Sequence, residues 1–259
     1  MDKKLTAMER LLGVMDELRE KCPWDREQTM MSLRNNTIEE TYELTDAIMD
    51  NDLDEVKKEL GDLLLHIVFY SKIGEEQGAF DLSDVADSIS DKLIYRHPHV
   101  FGDISVDGAD DVSRNWEQLK LREKKDRDKK GVLSGVPRSL PAVVKAYRIS
   151  QKAASAGFDW KKPEDVWDKV MEETAELRDE INAGNKPLME EEFGDLMFAL
   201  VNAARKQGID PEASLERSNR KFINRFGYIE QEAAKKGIAL KDMSLDEMET
   251  LWQEAKKAE

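Results

Sequence analysis

A single cysteine, Cys22, stands in the whole chain. No internal disulfide can form, and a reducing compartment is expected. Proline and glycine are scarce, 7 and 14 among 259 residues, so long helices meet few breakers. Alternating β-branched runs are nearly absent, which argues against sheet. No apolar run nears the ~20 residues of a membrane span. The N-terminal MDKKLTAMERLLGVMDELRE is amphipathic and charged, without the apolar stretch of a signal peptide. A cytoplasmic protein with no membrane partner is expected. Basic excess is lacking too. The net charge of −15 repels phosphates and argues against stable nucleic-acid binding. An anionic substrate stays compatible if metal ions mediate the contact.

What is present is helical periodicity. Leu5, Met8, Leu11, Leu12, Met15 and Leu18 form one stripe, and Leu53, Val56, Leu60, Leu63, Leu64 and Ile67 another. Both predict buried helix faces. An internal repeat sits on this pattern. TIEETYEL at 37–44 matches VMEETAEL at 170–177, and ELGDL at 59–63 matches EFGDL at 192–196. Both pairs share one offset, 172 − 39 = 192 − 59 = 133. At shifted offsets, Lys92 and Arg96 parallel Lys221 and Arg225, and Trp116 and Lys120 parallel Trp252 and Lys256. Pro23-Trp24-Asp25 parallels Asp159-Trp160-Lys161. The chain therefore reads as an all-α protein of two duplicated helical-bundle domains, 1–121 and 138–259, joined by a charged, then Gly/Pro-bearing linker over 122–137.

The acids carry the chemistry. Glu39, Glu40 and Glu43 lie at helical spacings of three and four, as do Glu59 and Asp62 at three. The polar turn Asp50-Asn51-Asp52 folds one helix back on the other, so the acidic faces meet. Glu172, Glu173, Glu176, Glu192 and Asp195 repeat the arrangement across Ala183-Gly184-Asn185. Converging ionised acids need compensation. One such run alone is a solvated face. The paired motifs in duplicate point to a hard cation, Mg²⁺ with Mn²⁺ as a substitute. A di-iron site is disfavoured, because none of His66, His97 and His99 follows a motif glutamate by three. His66 is expected in helix packing, and His97 and His99 in a loop. Gly61 and Gly194 recur between the acids, which predicts close approach of a neighbouring helix.

At these residues the sequence resembles the MazG family of nucleoside triphosphate pyrophosphohydrolases in its two-domain form. The resemblance rests on CPWDREQT, TIEETYEL with KELGDLLLHIVFY, YRHPHVFGD, VMEETAEL with EEFGDLMFALVN, and NRKFINRF. It implies an all-α fold, Mg²⁺ dependence, a homodimer, and hydrolysis of NTPs to NMP and pyrophosphate with broad base tolerance. Glu173, Glu176, Glu192 and Asp195 would ligate Mg²⁺, with Glu172 orienting the attacking water or joining the metal shell. Lys169, Lys221 and Arg225 would hold the triphosphate, with Trp252 and Lys256 near the nucleotide. The first copy offers Glu39, Glu40, Glu43, Glu59 and Asp62, with Lys92, Arg96, Trp116 and Lys120. Asn36 stands where the second copy has Lys169, so the second copy is expected to be the more active. Two rivals remain at this point. One is a related enzyme acting on dUTP or phosphoribosyl-ATP. The other is a nucleotide-binding or scaffolding dimer with one or both sites silent.

Overall fold

The computed structural model describes residues 2–108, 111–112, 115–116, 119 and 131–258. Lys120 and the stretch 122–130 of the expected linker lie outside the described residues. The fold is all-α, and no strand occurs among the described residues. No helix among them is long and apolar enough to cross a membrane. The chain divides into two units, Met1–Trp116 and Glu117–Glu259.

The first unit runs α1 (Lys3–Lys21), α2 (Pro23–Glu27), α3 (Met30–Asp50), α4 (Leu53–Glu76), α5 (Leu82–Arg96) and α6 (Pro98–Phe101). Its boundaries follow from local chemistry. Thr29 and Ser32 close a reciprocal capping box at the start of α3. Asn51 stops α3 in the left-handed region at φ 55°, a conformation asparagine tolerates. Asp52 then accepts the amides of Asp54 and Glu55 and opens α4. This two-residue turn, Asn51-Asp52, makes α3 and α4 an antiparallel hairpin, the most extensive helix pair of the unit. Met15, Leu33, Val68, Phe69 and Ile73 form the core, flanked by Leu11, Leu12 and Leu64.

The second unit runs α7 (Ala142–Ser155), α8 (Asp165–Ala183), α9 (Lys186–Lys206), α10 (Pro211–Lys236) and α11 (Leu245–Ala258). Gly184 ends α8 at φ 70°, the counterpart of Asn51. Helices α8 and α9 again pair most extensively, around Val166, Val170, Ala199 and Ala203.

The apolar stripes divide between core and surface. In α4, Leu53, Leu60 and Ile67 are exposed by 74%, 53% and 46%. The core residues are instead Val68, Phe69 and Ile73 on another side of the helix. In α1, Met15 is buried while Leu5 is exposed. Helix α4 is apolar on two sides, and a single stripe read from periodicity selected the wrong one as innermost. The glycines require a second correction. A Cβ at Gly61 or Gly194 would meet nothing within 4 Å, so among the described residues no neighbouring helix approaches there.

The Trp24 and Trp160 segments are anchored differently in the two units. Arg19 donates to the carbonyls of Asp25 and Gln28 and pairs with Glu76, Nε to Oε1 at 2.9 Å. Asp159 instead pairs with Arg205 and Lys206 at 2.6 and 2.9 Å.

Candidate active site

Each hairpin brings three carboxylates together. In the first unit these are Glu40 and Glu43 from α3 and Glu59 from α4, with ligand oxygens all within 4.8 Å of one another. In the second they are Glu173 from α8 and Glu192 and Asp195 from α9, within the same limit. The distribution is reversed: two acids from the first helix and one from the second, then one and two. Asp62 and Glu176 stand beside the triads. Asp62 acts on Glu40 by its charge, and Glu176 acts on Glu192. Glu39 and Glu172 are exposed.

One acid of each triad is buried, and it is a different one. Glu59 is fully buried in the first unit; Glu173 is 5% exposed in the second. By the 133-residue offset, Glu59 corresponds to Glu192 and Glu173 to Glu40, so the buried acid changes helix between copies. Burial, then the charges of Asp62 and Glu43, push the Glu40 carboxyl above its ordinary range. Burial and the charges of Glu176, Glu173 and Asp195 do the same to Glu192. Glu176 is raised by burial and by Glu173 and Glu172. Glu59 is held low, chiefly by the hydrogen bond from Lys58.

The donor sets fit a hard divalent cation. All six triad ligands are carboxylate oxygens, the type such ions prefer. Glu59 Oε2 is buried with no hydrogen-bond partner. A buried carboxylate oxygen left bare is costly, and a cation between Glu40, Glu43 and Glu59 would satisfy it.

Lysines neutralise part of each cluster. Lys169 Nζ lies 2.8 Å from Glu172 Oε1 and 2.6 Å from Glu173 Oε1. In the first unit Asn36 leaves that place without a cation, but Lys58 Nζ lies 2.9 Å from Glu59 Oε1 and 2.6 Å from Glu55 Oε1. Sequence comparison missed Lys58 because its counterpart by the 133 offset is Glu191, and a search for shared residues discards such a pair.

Of the other expected residues, the two arginines sit over tryptophans. The Arg96 guanidinium lies 5.2 Å over the Trp116 ring, and Arg225 lies 5.3 Å over Trp252. His97 packs against Trp116 at 4.8 Å, and Phe222 against Trp252 at 5.1 Å. Lys92, Lys221 and Lys256 are exposed. His66 is buried in helix packing, edge-on to Tyr70 at 6.3 Å. Tyr70 in turn shares a 2.6 Å hydroxyl contact with Thr37. His97 caps the end of α5, its Nδ1 2.6 Å from the Leu93 carbonyl.

Comparisons with known proteins agree with this duplication. A MazG nucleotide pyrophosphohydrolase domain matches residues 28–101 and again 161–228. The chain is 42% identical over 260 residues to the nucleoside triphosphate pyrophosphohydrolase of Escherichia coli K12, covering 98% of this chain and 99% of that one. It is 41% identical over 250 residues to the nucleoside triphosphate pyrophosphohydrolase/pyrophosphatase MazG of Thermotoga maritima, covering 96% and 95%. It is 46% identical over 239 residues to YabN of Bacillus subtilis, covering 92% of this chain and 49% of that protein.

Proposed function

The chain belongs to the MazG nucleotide pyrophosphohydrolase family, and from that premise we propose that it hydrolyses nucleoside triphosphates, and dNTPs, to NMP and pyrophosphate with Mg²⁺ and broad base tolerance. As a member of that family it is an enzyme, a nucleoside triphosphate pyrophosphohydrolase. The observation that carries the finer reading is the duplicated carboxylate triad with a buried member, whose bare Oε2 in the first copy faces no hydrogen-bond donor.

Glu173, Glu176, Glu192 and Asp195 would hold Mg²⁺ in the second copy, and Glu40, Glu43, Glu59 and Asp62 in the first. When bound, the cation offsets charge on the phosphates. The remaining work falls to the chain. Exposed Glu172, and Glu39 in the first copy, would orient the attacking water toward the α-phosphorus. The P–O bond to the β-phosphate breaks and pyrophosphate leaves. Lys169, Lys221 and Arg225, and Lys92 and Arg96 in the first copy, would hold the triphosphate, Arg as a fork and Lys as a point charge. Trp252 with Lys256, and Trp116 with Lys120, would flank the nucleotide.

The second copy is the stronger site in this reading, because Lys169, offered here to the triphosphate, has only Asn36 in its place in the first copy. We propose domain bounds of 1–121 and 138–259 with a linker over 122–137. The exposed Leu60 and Ile67 on α4, and Phe193, Met197 and Leu200 on α9, support a homodimer that covers these faces. The cytoplasm suits the lone cysteine. An NTP panel with Mg²⁺ tests the reading: NMP plus pyrophosphate is expected, and NDP plus phosphate overturns it.

A further inference from the structure

Each triad carries a lysine, and the two lysines do not occupy equivalent positions. Lys58 sits on α4, one residue before the buried Glu59; Lys169 sits on α8, four residues before the buried Glu173. At the corresponding places the other copy has Glu191 and Asn36. The lysine has changed helix together with the buried acid. An accidental surface pair would not track burial in this way. In both copies the ammonium takes Oε1 of the buried carboxylate, at 2.9 Å and 2.6 Å.

We infer that Lys58 is the first copy's resident counter-ion: it holds Glu59 when the site has no metal, and a divalent cation displaces it from that carboxylate. This rests on the reading of Glu40, Glu43 and Glu59 as a metal site. Glu59 is fully buried, and its Oε2 has no partner while Oε1 is taken by Lys58. A cation held by these residues would compete with the ammonium for this one group. Lys58 is well placed to yield. Its side chain is 60% exposed and its other partner is Glu55, which is not part of the triad. On leaving Glu59 the ammonium remains at the rim of the site, where an anion brought by the metal would meet it.

The test is Mn²⁺ binding, followed by electron paramagnetic resonance of the free ion, on the full chain without nucleotide. Glu173→Gln/Glu192→Gln removes the second triad, so the first is read alone. In that background Lys58→Met is expected to tighten Mn²⁺ binding by about threefold to tenfold, the scale of one ion pair lost from the competing state. Lys58→Arg should leave the affinity near that of the parent. Adding Asn36→Lys to Lys58→Met, which copies the second unit's arrangement, should weaken binding again. Unchanged or weaker binding in Lys58→Met overturns the inference while leaving the metal site intact. Failure of the parent to bind Mn²⁺ overturns the metal site itself and the inference with it. Because Lys58 is exposed, circular dichroism should show unchanged helix content in all three variants.

Discussion

At the scale of the residue, function turns on which carboxylates are charged. Glu172→Ala/Glu173→Ala should nearly abolish Mg²⁺-dependent pyrophosphate release, while Glu39→Ala/Glu40→Ala should reduce it less; turnover assays on both variants decide the ranking. Glu40, Glu176 and Glu192 all have pKa values raised by burial and neighbouring acids. A carboxyl whose folded pKa is raised favours folding when protonated, and that contribution is lost as pH rises through it. Metal binding needs the opposite state, so protons and Mg²⁺ compete. The rise in Tm caused by Mg²⁺ should therefore be largest near neutrality and shrink on acidification, starting above the usual glutamate range. Thermal scans with and without Mg²⁺ across pH 4.5–7.5, a window set about the ordinary carboxylate value, check this. An increment that grows on acidification would contradict it. The clustering of the triad acids was legible in the sequence because helical spacing places them on one side, while Glu39 and Glu172, on the same motifs, stay exposed outside the triads. Lys58 was not, since its role depends on which acid is buried, and burial is decided by packing across the hairpin.

At the scale of the element, the hairpin turn fixes the site. Asn51 at φ 55° is what lets α3 stop and α4 return within a few residues. A β-branched residue in the left-handed region is strained, so Asn51→Val should cost about 1–2 kcal/mol in denaturant unfolding. Asn51→Gly should be close to neutral, because Gly184 does the same work in the other copy. Both turns could be read from Asp50-Asn51-Asp52 and Ala183-Gly184-Asn185. The orientation of α4 could not. Its residues are apolar on more than one side, and a stripe through Leu53, Leu60 and Ile67 fits a 3.6-residue period as well as the true core face of Val68, Phe69 and Ile73. Gly61 and Gly194 misled for a related reason. A helical glycine signals close approach only if some surface comes near, and at these two none does among the described residues. Gly61→Ala and Gly194→Ala should each stabilise the isolated fold by about 1 kcal/mol. Loss of the dimer with that gain would place the partner's surface at the glycines, a readout sedimentation can supply.

At the scale of the whole molecule, duplication gives one chain two acidic triads built by the same hairpin with opposite assignments of the buried acid. The repeat itself was visible from the shared offset. The reversal was not, because matching motifs hide differences in burial. In the proposed reaction these carboxylates direct water onto the α-phosphorus of a triphosphate. Hydrolysis of ATP with Mg²⁺ in oxygen-18-labelled water, with mass analysis of both products, tests it most directly. AMP carrying the label and unlabelled pyrophosphate are expected. Label in the pyrophosphate, or release of ADP and phosphate, would contradict it.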